Sequence, residues 1–378
     1  MVQSPFSSSF QLGILGGGQL GKMLCQVAYQ MDISTAVLDP DVQCSAAQIA
    51  GRFVQGSFKD FETVLQFGRT VDVLTIEIEH VNLEALDQLE KEGKAIHPNP
   101  QALRLIQNKQ LQKEWVARLN LPTSKFQNFS SKGSSAPNFP FVWKAATGGY
   151  DGKGVSVVRS QEDWNSIPDM PFVAEKLVPI QTEIAVIAVR NQSQSVCLPA
   201  CSMVFHPTAN LVTQVVCPAQ VATNIVKQAE EIALQLINDL EIQGLLAVEF
   251  FVDEQGSLLI NEVAPRPHNS GHFTIEAVET SQYEQHLRGV LNLPLGSTRL
   301  KSPSVMVNVI GEADHQGPVF YQGMNEVLAI PGASVHLYGK KETRPYRKMG
   351  HVTITDSTVE SAMEKSHFVH QTLKAISL

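Results

Sequence analysis

Apolar residues follow three successive patterns along this chain. In roughly the first hundred residues, short apolar runs alternate with helical spacing. Residues 11–15 read as a strand, Gly16-Gly17-Gly18 as a sharp turn, and residues 19–31 as a helix with Leu20, Met23, Leu24 and Val27 on one side. Residues 35–38 form a second strand ending at Asp39-Pro40, and 71–78 a buried strand. A helix over 83–91 and a short strand over 95–97 follow. Such alternation predicts a parallel sheet with helices on both faces. The Pro98-Asn99-Pro100 segment punctuates a boundary.

The second pattern begins with a helix over 101–119, ended by Asn120-Leu121-Pro122, and a small-residue linker over 127–140. Strands joined by glycine loops then span 141–145, 155–159, 172–177, 183–190 and 195–199. One amphipathic helix covers 223–240, and two strands cover 245–252 and 257–263. This predicts an antiparallel α+β domain. From about residue 301 a third block of short strands (305–310, 334–338, 351–355) closes with a helix.

Length and composition fit this picture. At ~150 residues per domain, 378 residues make two to three domains. With 43% apolar and 17% charged residues the chain is not mainly disordered. A net charge of −8 argues against general nucleic-acid binding. No apolar run approaches the ~20 residues of a membrane span. Residues 1–10 show no secretion signal, so no membrane role and a cytoplasmic location are expected. Cys25, Cys44, Cys197, Cys201 and Cys217 read as buried thiols of a reducing compartment. Cys197 and Cys201 have no second Cys/His pair nearby to complete a zinc site.

Five segments carry candidate chemistry. Gly16-Gly17-Gly18-Gln19-Leu20-Gly21 satisfies G-x-G-x-x-G between a strand and a helix, with Asp39 where a ribose-binding acid would sit. A nicotinamide-dependent oxidoreductase would use this turn, but so would any phosphate binder. Thr147-Gly148-Gly149-Tyr150-Asp151-Gly152-Lys153-Gly154, after Lys144, is a flexible loop offering N–H groups to a phosphate chain, and it lacks the Walker pattern. The turn at Glu254-Gln255-Gly256 sets Glu249 and Glu262 opposite each other to within one residue of register. Two like charges so placed repel unless a cation sits between them, and with Asn261 they form an oxygen set suited to magnesium. Arg266-Pro267-His268-Asn269-Ser270-Gly271-His272 adds a natural oxyanion site. The basic run from Lys340 to Lys348 could capture a phosphorylated small molecule or be a solvated loop.

These motifs, in this order, resemble the ATP-grasp superfamily. Thr75-Ile76-Glu77-Ile78-Glu79 and Arg344-Pro345-Tyr346-Arg347-Lys348-Met349-Gly350-His351 narrow the resemblance to the 5-(carboxyamino)imidazole ribonucleotide synthase family of purine biosynthesis, from about residue 11 to 356. The resemblance implies an N-terminal Rossmann-like domain over 1–98 and an ATP-grasp domain over 99–298 with a lid at about 122–178. A small β-rich C-terminal domain over 299–378 completes it. It also implies a homodimer, with ATP and Mg2+ (Mn2+ as an alternative) as cofactors and aminoimidazole ribonucleotide and bicarbonate as substrates. The expected product is the N-carboxylated ribonucleotide of IMP biosynthesis, made through carboxyphosphate.

By motif match, Arg104, Lys144 and the loop 149–155 (Gly149, Gly152, Gly154) would hold ATP phosphates. Glu175, Lys176, Leu177 and Val178 would meet adenine, and Glu183 the ribose. Glu249 and Glu262 would bind the metal beside Asn261. Tyr150, Asp151 and Lys153 would reach the imidazole and the carboxylating species, while Arg266, His268 and Asn269 would steady carboxyphosphate. Gln19, Leu20 and Glu79 would contact the ribonucleotide, with Lys340, Arg347 and Lys348 on its phosphate. Lys153 stands where some relatives carry Arg, and Tyr346 where Gly is usual. His206 stays outside this set. A formate-dependent glycinamide ribonucleotide transformylase is the nearest rival; it typically carries His-Asp-Thr-Gly where this chain has His268-Asn269-Ser270-Gly271. A non-enzymatic nucleotide-binding regulator is the third alternative.

Overall fold

The computed structural model describes residues 4–133, 136–148, 154–209 and 211–378. The first region is a five-stranded parallel sheet in the order β3-β2-β1-β4-β5. Its strands are β1 (Leu12–Leu15), β2 (Thr35–Asp39), β3 (Arg52–Gln55), β4 (Val73–Ile76) and β5 (Ala95–His97). Helix α1 (Gln19–Gln30) covers one face through Leu20, Met23 and Leu24, packed on Leu12, Ile14 and Val37. Helices α2 (Phe61–Arg69) and α3 (Leu83–Lys91) cover the other through Val64, Phe67, Leu86 and Leu89. Side chains on both faces of the inner strands β1, β2 and β4 are mostly apolar because helices cover both faces, which explains the hydrophobic runs.

The helix expected over 101–119 is two helices, α4 (Pro100–Ile106) and α5 (Lys109–Arg118). Asn108 breaks it. Its backbone is extended and its side chain accepts from the N–H groups of Gln110 and Leu111, so a second helix starts there. The Lys109 N–H meanwhile donates to the carbonyl of Ala146.

An antiparallel four-stranded sheet follows, ordered β6-β9-β7-β8, from β6 (Phe126–Phe129), β7 (Phe141–Ala145), β8 (Val155–Val158) and β9 (Phe172–Lys176). Helix α6 (Gln161–Ser166) gives it Trp164, which packs with Phe141, Trp143 and Phe172 into a small separate core. Next come β10 (Ile180–Arg190), β11 (Ser195–Cys197), β12 (Cys201–Phe205), β13 (Val212–Cys217), α7 (Thr223–Asp239), β14 (Gly244–Asp253) and β15 (Leu258–Ala264). On one face of this sheet, Ile184, Val186, Leu246 and Val248 pack against Ala229, Ile232 and Leu236 of α7. On the other, Ala185, Ile187, Leu245 and Ala247 pack against Phe273 and Ala277. Two short helices, α8 (Thr274–Ala277) and α9 (Gln282–Val290), lead out of this region, and Tyr283 and Leu287 of α9 join the core under β1.

The C-terminal strands do not form an isolated unit. Strand β16 (Ser304–Ile310) pairs with β13, so the sheet runs on through β20 (Lys348–Thr355) to β18 (Ala333–Leu337). Strands β17 (Gly317–Gln322), β19 (Glu342–Thr343) and β21 (Lys374–Ser377) make a small side sheet. Helices α10 (Met324–Leu328) and α11 (Val359–Thr372) complete the layer. The architecture is the mixed α/β and α+β ATP-grasp fold expected from the motifs. Among the described residues, no helix is long and apolar enough to cross a membrane.

Candidate active site

A cleft of about 830 Å³ opens between the parallel sheet, the four-stranded sheet and the long antiparallel sheet. Its floor is the hairpin of β14 and β15. The ladder runs regularly from Val252↔Leu258 to Phe250↔Ile260, then shifts so that Glu249 lies opposite Glu262. The extra residue is Asn261. A bulge of this kind turns adjacent side chains toward the same side, and Asn261 and Glu262 both line the cleft. Burial, then the charges of Glu262 and Glu183, push the Glu249 carboxyl up to about 8. Desolvation in the cleft disfavours charge on Glu262, whose side chain is partly exposed, but Lys109, at 2.6 Å from its Oε1, brings that carboxyl below its ordinary value.

Three lysines surround the acids. Lys144 donates to Oδ1 of Asn261 at 2.7 Å and lies 3.1 Å from Glu175. Lys113 lies 3.0 Å from the other oxygen of Glu175 and donates to the hydroxyls of Thr123 and Ser124. Ser124 donates to Glu175 in turn. Burial opposes the charge on Glu175, yet Lys144 and Lys113 bring its carboxyl down to about 2. The same burial lowers Lys113 to about 8. A carboxylate so engaged holds Lys144 in place, and Glu175 itself also lines the cleft. Residues 176–178 and Glu183 line the cleft beyond it, and burial raises Glu183 to about 7.

The segment after β15 supplies the opposite wall. Arg266 lies 3.0 Å from Glu79 of the parallel-sheet region. The Nδ1 of His268 accepts from the Ser270 N–H, which leaves the ring proton on Nε2, 3.4 Å from Glu249. Asn269 also lines the cleft, and its amide pairs both ways with Asn308, at 2.9 and 2.8 Å, which fixes the loop. His272 is fully buried, with Nδ1 engaged by Tyr283 and Gln282.

The glycine turn at β1 is not an open anion cradle. Gly17 N–H donates to Asp39 at 2.7 Å, and the N–H groups of Gly18 and Gly21 donate to the two oxygens of Glu77. Carboxylates of the chain itself occupy the donors that a dinucleotide would need. Asp39 is likewise committed, to Gly17 and Asp41. Gln19 and Leu20, one step further, do line the cleft.

Arg104 requires correction. It lies on α4, half exposed, paired with Asp87 at 2.6 Å and outside the cleft lining. The break at Asn108 turns α4 toward α3 and lets α5 start with Lys109 beside Glu262. In the sequence Lys109 and Lys113 look like ordinary surface positions of one long helix. The Asn108 cap was the only local signal.

Of the C-terminal bases, Lys348 lines the cleft. Lys340 donates to its carbonyl at 2.6 Å and sits over Tyr338, while Arg347 donates to the carbonyl of Glu342. His206, Phe205 and Leu211 also line the cleft. Gly154 is described with a left-handed φ of 75°. Gly149, Tyr150, Asp151, Gly152 and Lys153 lie outside the described residues.

Among the described residues no three acid, Cys or His side chains converge as a ready metal cage. Two facing carboxylates, one pushed toward its protonated form by burial and then by the other's charge, nevertheless fit a divalent ion that draws its remaining oxygens from phosphates and water.

Comparison with known proteins agrees with this geometry. Residues 10–107 match the ribonucleotide synthetase preATP-grasp domain, 114–283 the ATP-grasp domain, and 304–365 the phosphoribosylaminoimidazole carboxylase C-terminal domain. The chloroplastic phosphoribosylaminoimidazole carboxylase of Vigna aconitifolia is 40% identical over 93% of this chain, which spans 65% of that protein's length. The N5-carboxyaminoimidazole ribonucleotide synthase of Synechococcus elongatus is 36% identical, over 93% of this chain and 90% of its own. The crystal structure of the Aspergillus clavatus N5-carboxyaminoimidazole synthase with ADP and 5-aminoimidazole ribonucleotide superposes with a TM-score of 0.87 at 36% identity, covering 96% of this chain and 98% of that one. Three domain matches in order from residue 10 to 365, with relatives 36–40% identical over 93% of the chain, place it in the N5-carboxyaminoimidazole ribonucleotide synthase family of ATP-grasp proteins.

Proposed function

We propose that the chain is an ATP-dependent carbon–nitrogen ligase that joins bicarbonate to the amine of 5-aminoimidazole ribonucleotide in purine biosynthesis. The observation that carries this is the Glu249–Glu262 pair, flanked by Lys109 and Lys144 on one side and Arg266 and His268 on the other. That arrangement suits transfer of a phosphoryl group to an anion, and the plugged glycine turn argues against hydride transfer from a dinucleotide.

In the first step, an oxygen of bicarbonate bonds to the γ-phosphorus. The bond to the β–γ bridging oxygen breaks and ADP leaves with that electron pair. In the second step, the amine nitrogen bonds to the carboxyl carbon of carboxyphosphate, phosphate departs, and the amine gives up a proton. Lys144 and Lys109 hold the phosphate chain, with residues 176–178 and Glu183 at the nucleoside. Arg266 and the Nε2–H of His268 face the developing carboxyphosphate. Gln19, Leu20 and Glu79 border the ribonucleotide, with Lys348 toward its phosphate and Lys340 and Arg347 behind Lys348. Magnesium, or manganese, would sit between Glu249 and Glu262 and neutralise phosphate charge. By family resemblance the same proposal includes a cytoplasmic homodimer, which sedimentation and cell fractionation read.

A coupled assay of ADP release tests the reaction. ADP should form with aminoimidazole ribonucleotide plus bicarbonate, and not with glycinamide ribonucleotide plus formate. The reverse pattern would refute it.

A further inference from the structure

Tyr346 adopts φ of 61°, a left-handed conformation that a tyrosine takes only with strain and that glycine takes freely. The strained residue sits in a rigid setting. Tyr346 N–H donates to the carbonyl of Gly311 at 2.9 Å, Gly311 N–H donates to that of Arg347 at 2.8 Å, and Arg347 N–H closes the turn onto Arg344. From this fixed base the Tyr346 ring reaches the chain segment between β12 and β13. It meets the ring of His206 edge to face, with centroids 5.4 Å apart and planes at 68°.

His206 is itself ordered by its own turn. Its Nδ1 accepts from the N–H groups of Thr208 and Ala209, at 3.2 and 3.1 Å, and its backbone N–H donates to Leu211. With Nδ1 accepting, the ring proton sits on Nε2. His206, Pro207 and Thr208 line the end of the cleft next to residues 176–178 and Glu183, where the proposed function puts the nucleotide. Two residues beyond Tyr346, Lys348 lines the same cleft.

We propose that Tyr346 is a positioning residue for nucleotide binding, seating the turn that follows β12 so that His206 borders the adenine-nucleotide end of the cleft. The inference deepens the proposed function and rests on it. A ring held on the C-terminal layer and applied to the central sheet's hairpin ties nucleotide affinity to the basic turn on the other side. The side chain thereby offsets the strain that its backbone carries.

The test uses the full chain and the variants Tyr346→Gly and Tyr346→Phe. MgATP binding is titrated by calorimetry, and KM and kcat are measured for MgATP and for aminoimidazole ribonucleotide. Glycine relieves the backbone, so its thermal midpoint should be no lower than that of wild type. Its Kd and KM for MgATP should rise roughly threefold to tenfold, the worth of one aromatic contact. kcat and the KM for the ribonucleotide should stay near wild type, and Tyr346→Phe should restore MgATP affinity. Unchanged MgATP affinity in Tyr346→Gly would overturn the inference. So would a rise confined to the ribonucleotide KM, or a phenylalanine variant as weak as the glycine one. Failure of the wild-type chain to bind MgATP would instead remove the proposed function, and this inference with it.

Discussion

Glu249 and Glu262 face each other directly because the β14–β15 ladder slips by one residue at Asn261. Without that slip Glu249 would face Asn261, and Glu262 would turn to the α7 side of the sheet. One inserted residue therefore makes the carboxylate pair on which the proposed phosphoryl transfer rests.

The two acids should respond differently to neutralisation. Glu262→Gln keeps the fold, since its side chain is 43% exposed and outside the apolar clusters. It removes one metal charge partner and should lower kcat by at least about 100-fold. Glu249→Gln should be equally inactive, yet it relieves a buried like-charge contact and should stabilise the ligand-free chain by roughly 1 kcal/mol. Thermal unfolding without nucleotide or metal, beside an ADP-release assay, checks both. A destabilised and active Glu249→Gln would contradict the pairing.

Lys109 and Arg104 separate a cation paired with a cleft acid from one paired away from the cleft. Arg104→Ala breaks an exposed ion pair with Asp87 worth below ~1 kcal/mol and should leave the KM for MgATP unchanged. Lys109→Met takes a charge from beside Glu262 and should raise that KM roughly tenfold or more. Steady-state kinetics of the two variants decides. Equal effects would mean that both cations serve the nucleotide.

Glu175 is the hinge of a buried ionic cluster. Glu175→Ala leaves Lys113 and Lys144, both nearly buried, without their shared counter-charge. It should cost about 3–5 kcal/mol, measurable as a lower midpoint in urea. A loss under about 1 kcal/mol would show that the lysines find other partners.

Burial depresses His286 to about 3 from 6.5, while its Nε2 pairs with Thr75. A histidine kept neutral when folded binds its proton more readily when unfolded. Its contribution is complete above pH 6.5 and is lost as the pH falls toward 3, at up to ~1.4 kcal/mol per unit. His272 and His351, held well below their ordinary value mainly by burial, act in the same direction. Unfolding free energies between pH 7 and 4.5 should fall, and His286→Gln should flatten the slope. An unchanged slope in that variant would rule out His286 as a contributor.

Local pattern alone settled the layers. Period-two runs, helical spacing and the glycine turns at residues 16–18 and 147–154 foretold a parallel sheet followed by antiparallel ones, because each element's periodicity reports the face it buries. The hairpin turn at Glu254-Gln255-Gly256 brought Glu249 and Glu262 to within a residue of register, since hairpin pairing follows from chain geometry. Tertiary structure decided the rest, because it depends on partners far apart in sequence. The bulge at Asn261 chose the face of Glu262. Glu77, 59 residues from Gly18, filled the glycine turn that otherwise reads as a dinucleotide site. A cap at Asn108 sent Arg104 outward and Lys109 inward, and Asn308 claimed the amide of Asn269. A motif names the groups a site can use; which of them remain free for a ligand is fixed only when distant chain segments have taken their share of hydrogen bonds and charge.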